Sequence, residues 1–364
     1  MKLLDKKNLN YLIYMVSVIV LIFIAFNTYV TFRIHSELAK LTSTPLRWPV
    51  GAYVYDKNIG FDFAPDVSGP IQDGSFYVKS HHLAYRIGEH DDGNSFQPGG
   101  VLSLGCSLTY ADEVESEQSF TQVIADSLGI PAYNYGVSSF SYAHALVKAQ
   151  NLRDEGVLDK LQAQYVVLGC WRGLPDRTRT PFPRIASKSI PLTAAYFKKE
   201  GKDLKIEYPL GSRHAFELIT MYRKNGPELN FKKFSKIFFA IPRFAYVYLK
   251  NNSLSQQVRQ IKPGTLLSDY EIYDFYFTNI ESVFSSYHSK IIVLYMPMSP
   301  DDQPSEGLMK AIAAHPDIIF VDGKQAIKKY NVPLKDYKSK HPQVSAHKAY
   351  GLETVSTMEG FKAR

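Results

Sequence analysis

A serine stands at the end of a short apolar run, where it could act as a nucleophile. The run Val101-Leu102-Ser103-Leu104 predicts a buried strand, and it breaks at Gly105 into the polar turn Cys106-Ser107-Leu108-Thr109. In an open α/β sheet, ligands bind at the carboxyl ends of the strands. The Ser107 hydroxyl could attack a carbonyl there while N–H groups of the turn bind the developing oxyanion. The alternative is a serine that only satisfies backbone donors of its turn.

The elements that must position this serine alternate along the chain. Further short apolar runs predict strands over 130–134, 165–169, 291–295 and 318–321, and helical spacing predicts helices over 120–128, 143–153, 272–287 and 308–314. Ser119 with Gln122 and Ser268 with Glu271 have the spacing of capping boxes. This alternation predicts an α/β domain with a doubly wound, flavodoxin-like parallel sheet of about five strands.

An apolar segment near the amino terminus predicts a transmembrane helix. Tyr11 to Phe32 contains 22 residues and no charge, which is long enough to cross a bilayer. Lys2, Lys6 and Lys7 precede the segment, so we expect a cytoplasmic N-terminus and a main domain outside the cytoplasm, periplasmic in a Gram-negative cell. A cleaved signal peptide is the competing interpretation. The length of the run and the lack of a small-x-small site favour an uncleaved single-pass anchor.

The chain is expected to be organised as an anchor over 1–34, a linker over 35–50 and one α/β domain over 51–364, of which 51–100 form an irregular section. An insertion over 181–262 carries 16 Lys and Arg against 5 Asp and Glu, interleaved with aromatic residues. Outside the cytoplasm such a segment would meet anionic lipid headgroups or an acidic glycan, and we expect no nucleic-acid partner. A solvated basic face on packed helices is the other interpretation.

Three short blocks of the chain, residues 105–109, 134–137 and 341–347, resemble in order and spacing the blocks of the SGNH/GDSL hydrolase family. Gly105-Cys106-Ser107-Leu108-Thr109 resembles the first block, with Cys106 where Asp is usual. Asn134-Tyr135-Gly136-Val137 resembles the second block, and residues 341–347 resemble the closing one. Residues 56–61 and 85–86 also resemble segments that precede the first block in anchored members. The resemblance implies Ser107 as nucleophile, His341 as general base and the N–H of Gly136 as an oxyanion donor.

Two positions depart from the family pattern. The third block usually supplies an Asn, whereas Gly169-Cys170-Trp171-Arg172-Gly173-Leu174 has none, so Arg172 is the candidate to bind negative charge or an acidic substrate. The family's acid stands three residues before the histidine, which here is Lys338. Asp336 is then the expected third catalytic residue, with a Ser–His dyad as the alternative. His347 is a second candidate for the base.

These residues support acyl transfer without a metal ion or cofactor. The expected function is a membrane-anchored serine ester hydrolase acting on an O-acyl group outside the cytoplasm, on a glycan or glycolipid. The alternatives are an O-acyltransferase for an extracytoplasmic polysaccharide and a non-catalytic glycan-binding or assembly protein. The oligomeric state stays open.

The only two cysteines raise a further question. Cys106 and Cys170 end neighbouring strands of the predicted sheet, so a disulfide between them and a pair of buried thiols are both compatible with the pattern.

Overall fold

The computed structural model describes residues 6–43, 52–91 apart from 72, 73 and 75, 97–179, 194–208 apart from 202, 212–241 apart from 227, 267–337 and 341–362. The strands are β1 Tyr53–Val54, β2 Asp62–Phe63, β3 Ser68–Pro70, β4 Tyr77–Ser80, β5 Arg86–Ile87, β6 Val101–Gly105, β7 Ala132–Gly136, β8 Tyr165–Cys170, β9 Tyr196–Glu200, β10 Asp203–Glu207, β11 Lys290–Tyr295 and β12 Ile319–Asp322.

The helices are α1 Lys6–Ser43, α2 Ser107–Tyr110, α3 Phe120–Leu128, α4 Tyr142–Asp154, α5 Val157–Leu161, α6 Leu174–Thr178, α7 Ser212–Asn225, α8 over residues 231–241, α9 Asp269–Phe284, α10 Glu306–Ala314, α11 Gly323–Lys329 and α12 Val344–Lys362.

A parallel sheet forms the centre of the domain, in the strand order β12-β11-β8-β6-β7. Counted along the chain, the strand after β6 lies on one side of it and the three later strands lie on the other, which is the flavodoxin-like order that the sequence predicts. The helices α3 and α12 pack together, and so do α4 and α9. Val166, Val167 and Leu168 are buried in succession because helices cover both faces of the sheet.

The irregular section before β6 extends this sheet. Strands β5, β4 and β3 add to it in antiparallel order beyond β7, which gives eight strands in place of the expected five. The contact begins where Arg86 of β5 pairs with Asn134 of β7. An open strand edge favours such an addition because its backbone groups would otherwise lack partners.

Local signals explain where the elements begin and end. Strand β7 starts two residues later than predicted because Ile130 closes the end of α3, its N–H bonding to the carbonyl of Ala125, while Pro131 has no N–H to give to the sheet. The capping box of Ser268 and Glu271 is confirmed at α9. Ser119 caps α3 through its own side chain, which accepts from the N–H of Gln122.

Helix α1 is longer than the predicted membrane span. It includes Asn8–Ser36, a stretch long and apolar enough to cross a membrane, and it continues to Ser43. The first nine residues of the expected linker are therefore helical. They stay helical because Ile34 and Leu38 pack against α7 and α8 of the basic insertion. The other end of this insertion, the hairpin of β9 and β10, packs on the main core through residues such as Phe197.

Candidate active site

The serine turn lies directly on the carboxyl ends of three neighbouring strands. Ser107 is the first residue of α2, and the carbonyl of Cys106 accepts the N–H groups of Thr109 and Tyr110 at 3.0 and 2.9 Å. Each of the three strands has a glycine where α2 lies on it. A Cβ on Gly136 would stand 2.3 Å from the backbone nitrogen of Tyr110, and one on Gly169 would stand 2.0 Å from Oγ1 of Thr109. The helix can approach the sheet this closely because those side chains are missing.

A clamped loop follows the serine turn. Ala111 and Glu113 have φ angles of +66° and +78°, a conformation that costs free energy for residues other than glycine. The guanidinium of Arg86, which is 3% exposed, donates to the carbonyls of Tyr110, Ala111 and Val114 at 2.5, 2.8 and 2.5 Å. Arg86 thus holds the loop in a shape that its own residues do not favour.

The loop places two carboxylates beside the imidazole of His341. Nδ1 of His341 is 3.1 Å from Oε1 of Glu113, and Nε2 is 3.5 Å from Oδ2 of Asp112. The other carboxylate oxygen of Glu113, Oε2, accepts a hydrogen bond from the side-chain amide of Gln343 at 3.1 Å. A carboxylate at Nδ1 orients an imidazole and stabilises its protonated form.

Asp112 joins this histidine to the serine turn. The N–H of Asp112 donates to the carbonyl of Ser107 at 3.0 Å, and its carboxylate accepts the hydroxyl of Ser138 at 2.7 Å. Ser107 is 8% exposed, so its side chain lies at the edge of the buried region. Asp112 therefore connects the two predicted residues, since its N–H bonds to the carbonyl of Ser107 and its carboxylate lies beside His341.

The acid expected from the sequence is engaged elsewhere. The carboxylate of Asp336 accepts a hydrogen bond from the hydroxyl of Ser345 at 2.6 Å. The backbone carbonyl of Asp336 accepts one from the N–H of Gln343 at 2.7 Å. Asp336 thus shapes the loop that leads into α12, and Glu113 occupies the position beside His341. Lys338 lies outside the described residues.

His347, the second candidate for the base, is 0% exposed and stacks on the ring of Phe120 at 6.0 Å. Burial, aided by the charge of Arg86, lowers its pKa to about 3. A wholly buried imidazole has no path to a substrate.

The search for similar proteins returned solved structures only. No family model and no curated protein matches the chain. A member of the lipolytic protein G-D-S-L family from Veillonella parvula is 11% identical and has a TM-score of 0.34, over 71% of this chain and 97% of its own. The psychrotrophic esterase EstA from a Pseudoalteromonas species is 9% identical with a TM-score of 0.36, over 74% and 100%. An acetylxylan esterase from Geobacillus stearothermophilus is 12% identical with a TM-score of 0.34, over 72% and 96%.

At these values the similarity carries no argument about activity. The strand order and the serine turn decide the architecture on their own. The chain has the flavodoxin-like α/β sheet that the sequence predicts, with the serine turn at its carboxyl edge.

The second block differs from its expected role in one contact. The N–H of Gly136 donates to Oδ1 of Asn134 at 2.9 Å, and Nδ2 of Asn134 donates to the carbonyl of Thr109 at 2.9 Å. The glycine N–H already has an acceptor, so an oxyanion would have to share it with Asn134.

The third block presents a different cation from the one expected. Arg172 is exposed, whereas the guanidinium of Arg177 lies over the ring of Trp171 at 5.0 Å, next to the serine turn. Burial raises the pKa of the Cys106 thiol, and the charge of Arg177 opposes that rise. Burial and the same charge lower the pKa of His144 to about 3. Of the two arginines, Arg177 is the one whose charge reaches the residue before Ser107.

Cys106 and Cys170 are both buried and free, so the disulfide hypothesis is wrong for this structure. The thiol of Cys170 lies beside the hydroxyl of Tyr142 in the core, and burial raises its pKa to about 12. Within the described residues, no group of three or more His, Cys, Asp or Glu side chains is arranged to hold a metal ion.

Sequence reasoning missed Asp112, Glu113, Ser138 and Arg177. A signal for the first two was present, because adjacent carboxylates follow the serine by five and six residues. Nothing in the spacing pointed to Ser138 or Arg177.

Proposed function

We propose that this protein is a membrane-anchored serine ester hydrolase that acts outside the cytoplasm. The observation that carries the proposal is the approach of Glu113 to Nδ1 of His341, at 3.1 Å, within the loop that follows Ser107. The assignment is Ser107 as nucleophile, His341 as general base and acid, and Glu113 as the orienting carboxylate.

The reaction follows from these three groups. Ser107 Oγ attacks the carbonyl carbon of the ester, and Nε2 of His341 takes the hydroxyl proton while Nδ1–H donates to Glu113. When the tetrahedral intermediate collapses, the C–O bond to the alcohol breaks and His341 returns the proton to the leaving oxygen. Water then attacks the acyl-serine by the same route and releases the carboxylic acid.

The oxyanion is assigned to three groups. The N–H of Ser107 opens α2, where the first N–H groups of a helix have no acceptor inside the helix. The N–H of Gly136 lies on the neighbouring strand. Arg177 supplies positive charge in place of the missing amide of the third block.

The compartment and the substrate class belong to the same proposal. The apolar stretch Asn8–Ser36 supports a membrane anchor, and the lysines before it support an extracytoplasmic domain. An enzyme fixed there would meet O-acyl groups on glycans or glycolipids near the membrane surface. An O-acyltransferase would use the same residues with a sugar hydroxyl in place of water.

Hydrolysis of p-nitrophenyl acetate by the full chain in detergent micelles tests the proposal. We expect turnover in the wild type, loss of turnover in Ser107→Ala, and unchanged turnover in Ser127→Ala, which removes an exposed serine of α3. Equal rates for the wild type and Ser107→Ala would refute the assignment. Acyl transfer to an added sugar that exceeds hydrolysis would establish the transferase. The binding protein would be indicated if neither reaction occurred.

A further inference from the structure

Helix α8, in the basic insertion, has an outward face that water alone would solvate poorly. Phe231 and Phe239 are 86% and 78% exposed and lie on one side of the helix, with Ser235 between them. Lys232 and Lys236 are exposed beside them. Large aromatic side chains at this exposure on a packed helix mark a surface that contacts something other than water.

The inward face of α8 attaches it to the anchor helix. Ile237, Ala240 and Ile241 are buried with Ile34 and Leu38 of α1 and with residues of α7. The rings of Phe32 and Phe234 meet edge to face, with their centroids 6.0 Å apart. The orientation of α8 relative to α1 is thus set by apolar packing.

A buried lysine fixes the start of the same helix. Nζ of Lys233, a residue 1% exposed, donates to the carbonyls of Gly226 and Glu228 at 2.5 and 2.7 Å. It also lies 4.7 Å from the ring centre of Tyr222, whose hydroxyl is 2.7 Å from Nδ1 of His35 on α1. The chain of contacts holds the outward face of α8 in one direction.

The position of this contact along α1 gives its depth. Large apolar side chains of α1 are exposed from Leu9 to Phe32, a length that at a rise of about 1.5 Å per residue slightly exceeds the thickness of a hydrocarbon core. The packing on α7 and α8 involves Val30 and Ile34, at the carboxyl end of this exposed stretch. Helix α8 therefore lies at the level of the lipid headgroups on the side of the main domain.

We propose that α8 is an interfacial helix that binds anionic phospholipid of the leaflet facing the main domain. Phe231 and Phe239 insert between the headgroups, and Lys232 and Lys236 bind lipid phosphates. Aromatic and basic residues on one exposed face are the composition of helices that lie in the plane of a membrane. The inference rests on the proposed membrane anchoring and is independent of the ester chemistry.

Quenching by brominated lipid measures the contact directly. The full chain is reconstituted into vesicles of phosphatidylcholine and phosphatidylglycerol, with or without bromine on the acyl chains. Phe231→Trp and Phe239→Trp report on α8, and Phe23→Trp reports on the anchor. Met309→Trp, at an exposed apolar position of α10, is the matched control. All variants are compared with the wild type, which retains Trp48 and Trp171.

We expect bromine to remove much of the added fluorescence in Phe231→Trp, Phe239→Trp and Phe23→Trp and little of it in Met309→Trp. Adding Lys232→Glu and Lys236→Glu to Phe239→Trp should reduce the quenching when phosphatidylglycerol is present. If bromine quenches Phe23→Trp alone, the inference is overturned and the anchor is left intact. The same conclusion holds if the fluorescence of Phe239→Trp is blue-shifted but not quenched, since a protein interface would then cover this position. Failure to quench Phe23→Trp would instead refute the anchoring on which the inference rests.

Discussion

Two carboxylates flank the imidazole of His341, and the protein holds them in different ways. Glu113 accepts a hydrogen bond from the side chain of Gln343, which lies two residues after His341, so the same loop positions both the carboxylate and the imidazole. Asp112 is held by Ser138, which follows β7. Because Glu113 lies at Nδ1, the nitrogen that points away from a serine nucleophile in a triad, it is assigned the role of the acid.

Replacing Glu113 tests this assignment. Glu113→Gln keeps the shape of the side chain but removes the charge that stabilises the imidazolium, so we expect kcat to fall by about 10²- to 10⁴-fold. Asp336→Asn keeps the loop before α12 and should cost much less. Steady-state kinetics of both variants on p-nitrophenyl acetate provide the comparison. A larger loss in Asp336→Asn than in Glu113→Gln would return the acid to the position that the sequence suggested.

The buried His347 predicts a pH effect on stability. Its pKa is lowered from 6.5 to about 3 in the folded protein, so below pH 6.5 the unfolded chain binds a proton that the folded chain does not. Its contribution to stability is therefore complete above pH 6.5 and falls as the pH drops toward 3, by about 1.4 kcal/mol per pH unit. We expect His347→Phe to flatten the pH dependence of urea unfolding between pH 6.5 and about 5. A slope equal to that of the wild type would contradict a neutral, buried His347.

Ser107 is predicted by its strand-end turn and by the resemblance to the first SGNH block, whereas His341 is predicted by the resemblance to the closing block alone. The sequence did not predict Glu113, which is 228 residues from His341 along the chain and meets it only after the sheet has formed. Asp336 is the expected acid because it lies only five residues before the histidine in sequence. Closeness in sequence does not decide which carboxylate lies beside the His341 ring, because the loop after Ser107 brings Glu113 there from a distant part of the chain.

At the level of the elements, three strand-end glycines allow α2 to lie on the sheet. Of the three, the glycine of β7 lies closest to the backbone of α2. A Cβ on Gly136 would stand 2.3 and 2.8 Å from the nitrogen and Cα of Tyr110. Backbone cannot move aside as a flexible side chain can. A methyl group there would lift α2, and Ser107 with it.

Gly136→Ala should therefore destabilise the protein and inactivate it. Overpacking of this kind costs about 1–3 kcal/mol in the free energy of unfolding. Gly360→Ala is the matched control, because its added Cβ meets nothing within 4 Å and lies in α12. Urea denaturation and ester hydrolysis measure the two effects. A Gly136→Ala protein with the stability and the rate of the wild type would show that α2 does not depend on this close approach.

The five parallel strands were predictable because each is a short and mostly apolar run. Strands β3 to β5 were not, since they contain only two to four residues each and form by adding to an edge that another segment creates. The helical extension of α1 was missed for a related reason. Within the described part of the chain, Ile34 and Leu38 pack with α7 and α8, roughly 200 residues away in sequence.

The whole molecule combines the apolar helix α1, an insertion that contacts it and the α/β domain that holds Ser107. The insertion packs on the main core through β9 and β10 and on α1 through α7 and α8. Its basic and aromatic composition was visible in the sequence, but its contact with the anchor helix was not, because no periodicity links segments so far apart. The proposed function needs all three parts, since it places a serine hydrolase at the outer surface of a membrane.

Labelling with a membrane-impermeant fluorophosphonate tests the central claim most directly. The full chain is expressed in cells, and right-side-out and inside-out membrane vesicles are treated with the probe and analysed by peptide mass spectrometry. The account predicts that the probe modifies Ser107 in right-side-out vesicles only, and that Ser107→Ala and His341→Ala both abolish the modification. An unlabelled Ser107 in the wild type, or labelling confined to inside-out vesicles, would contradict it.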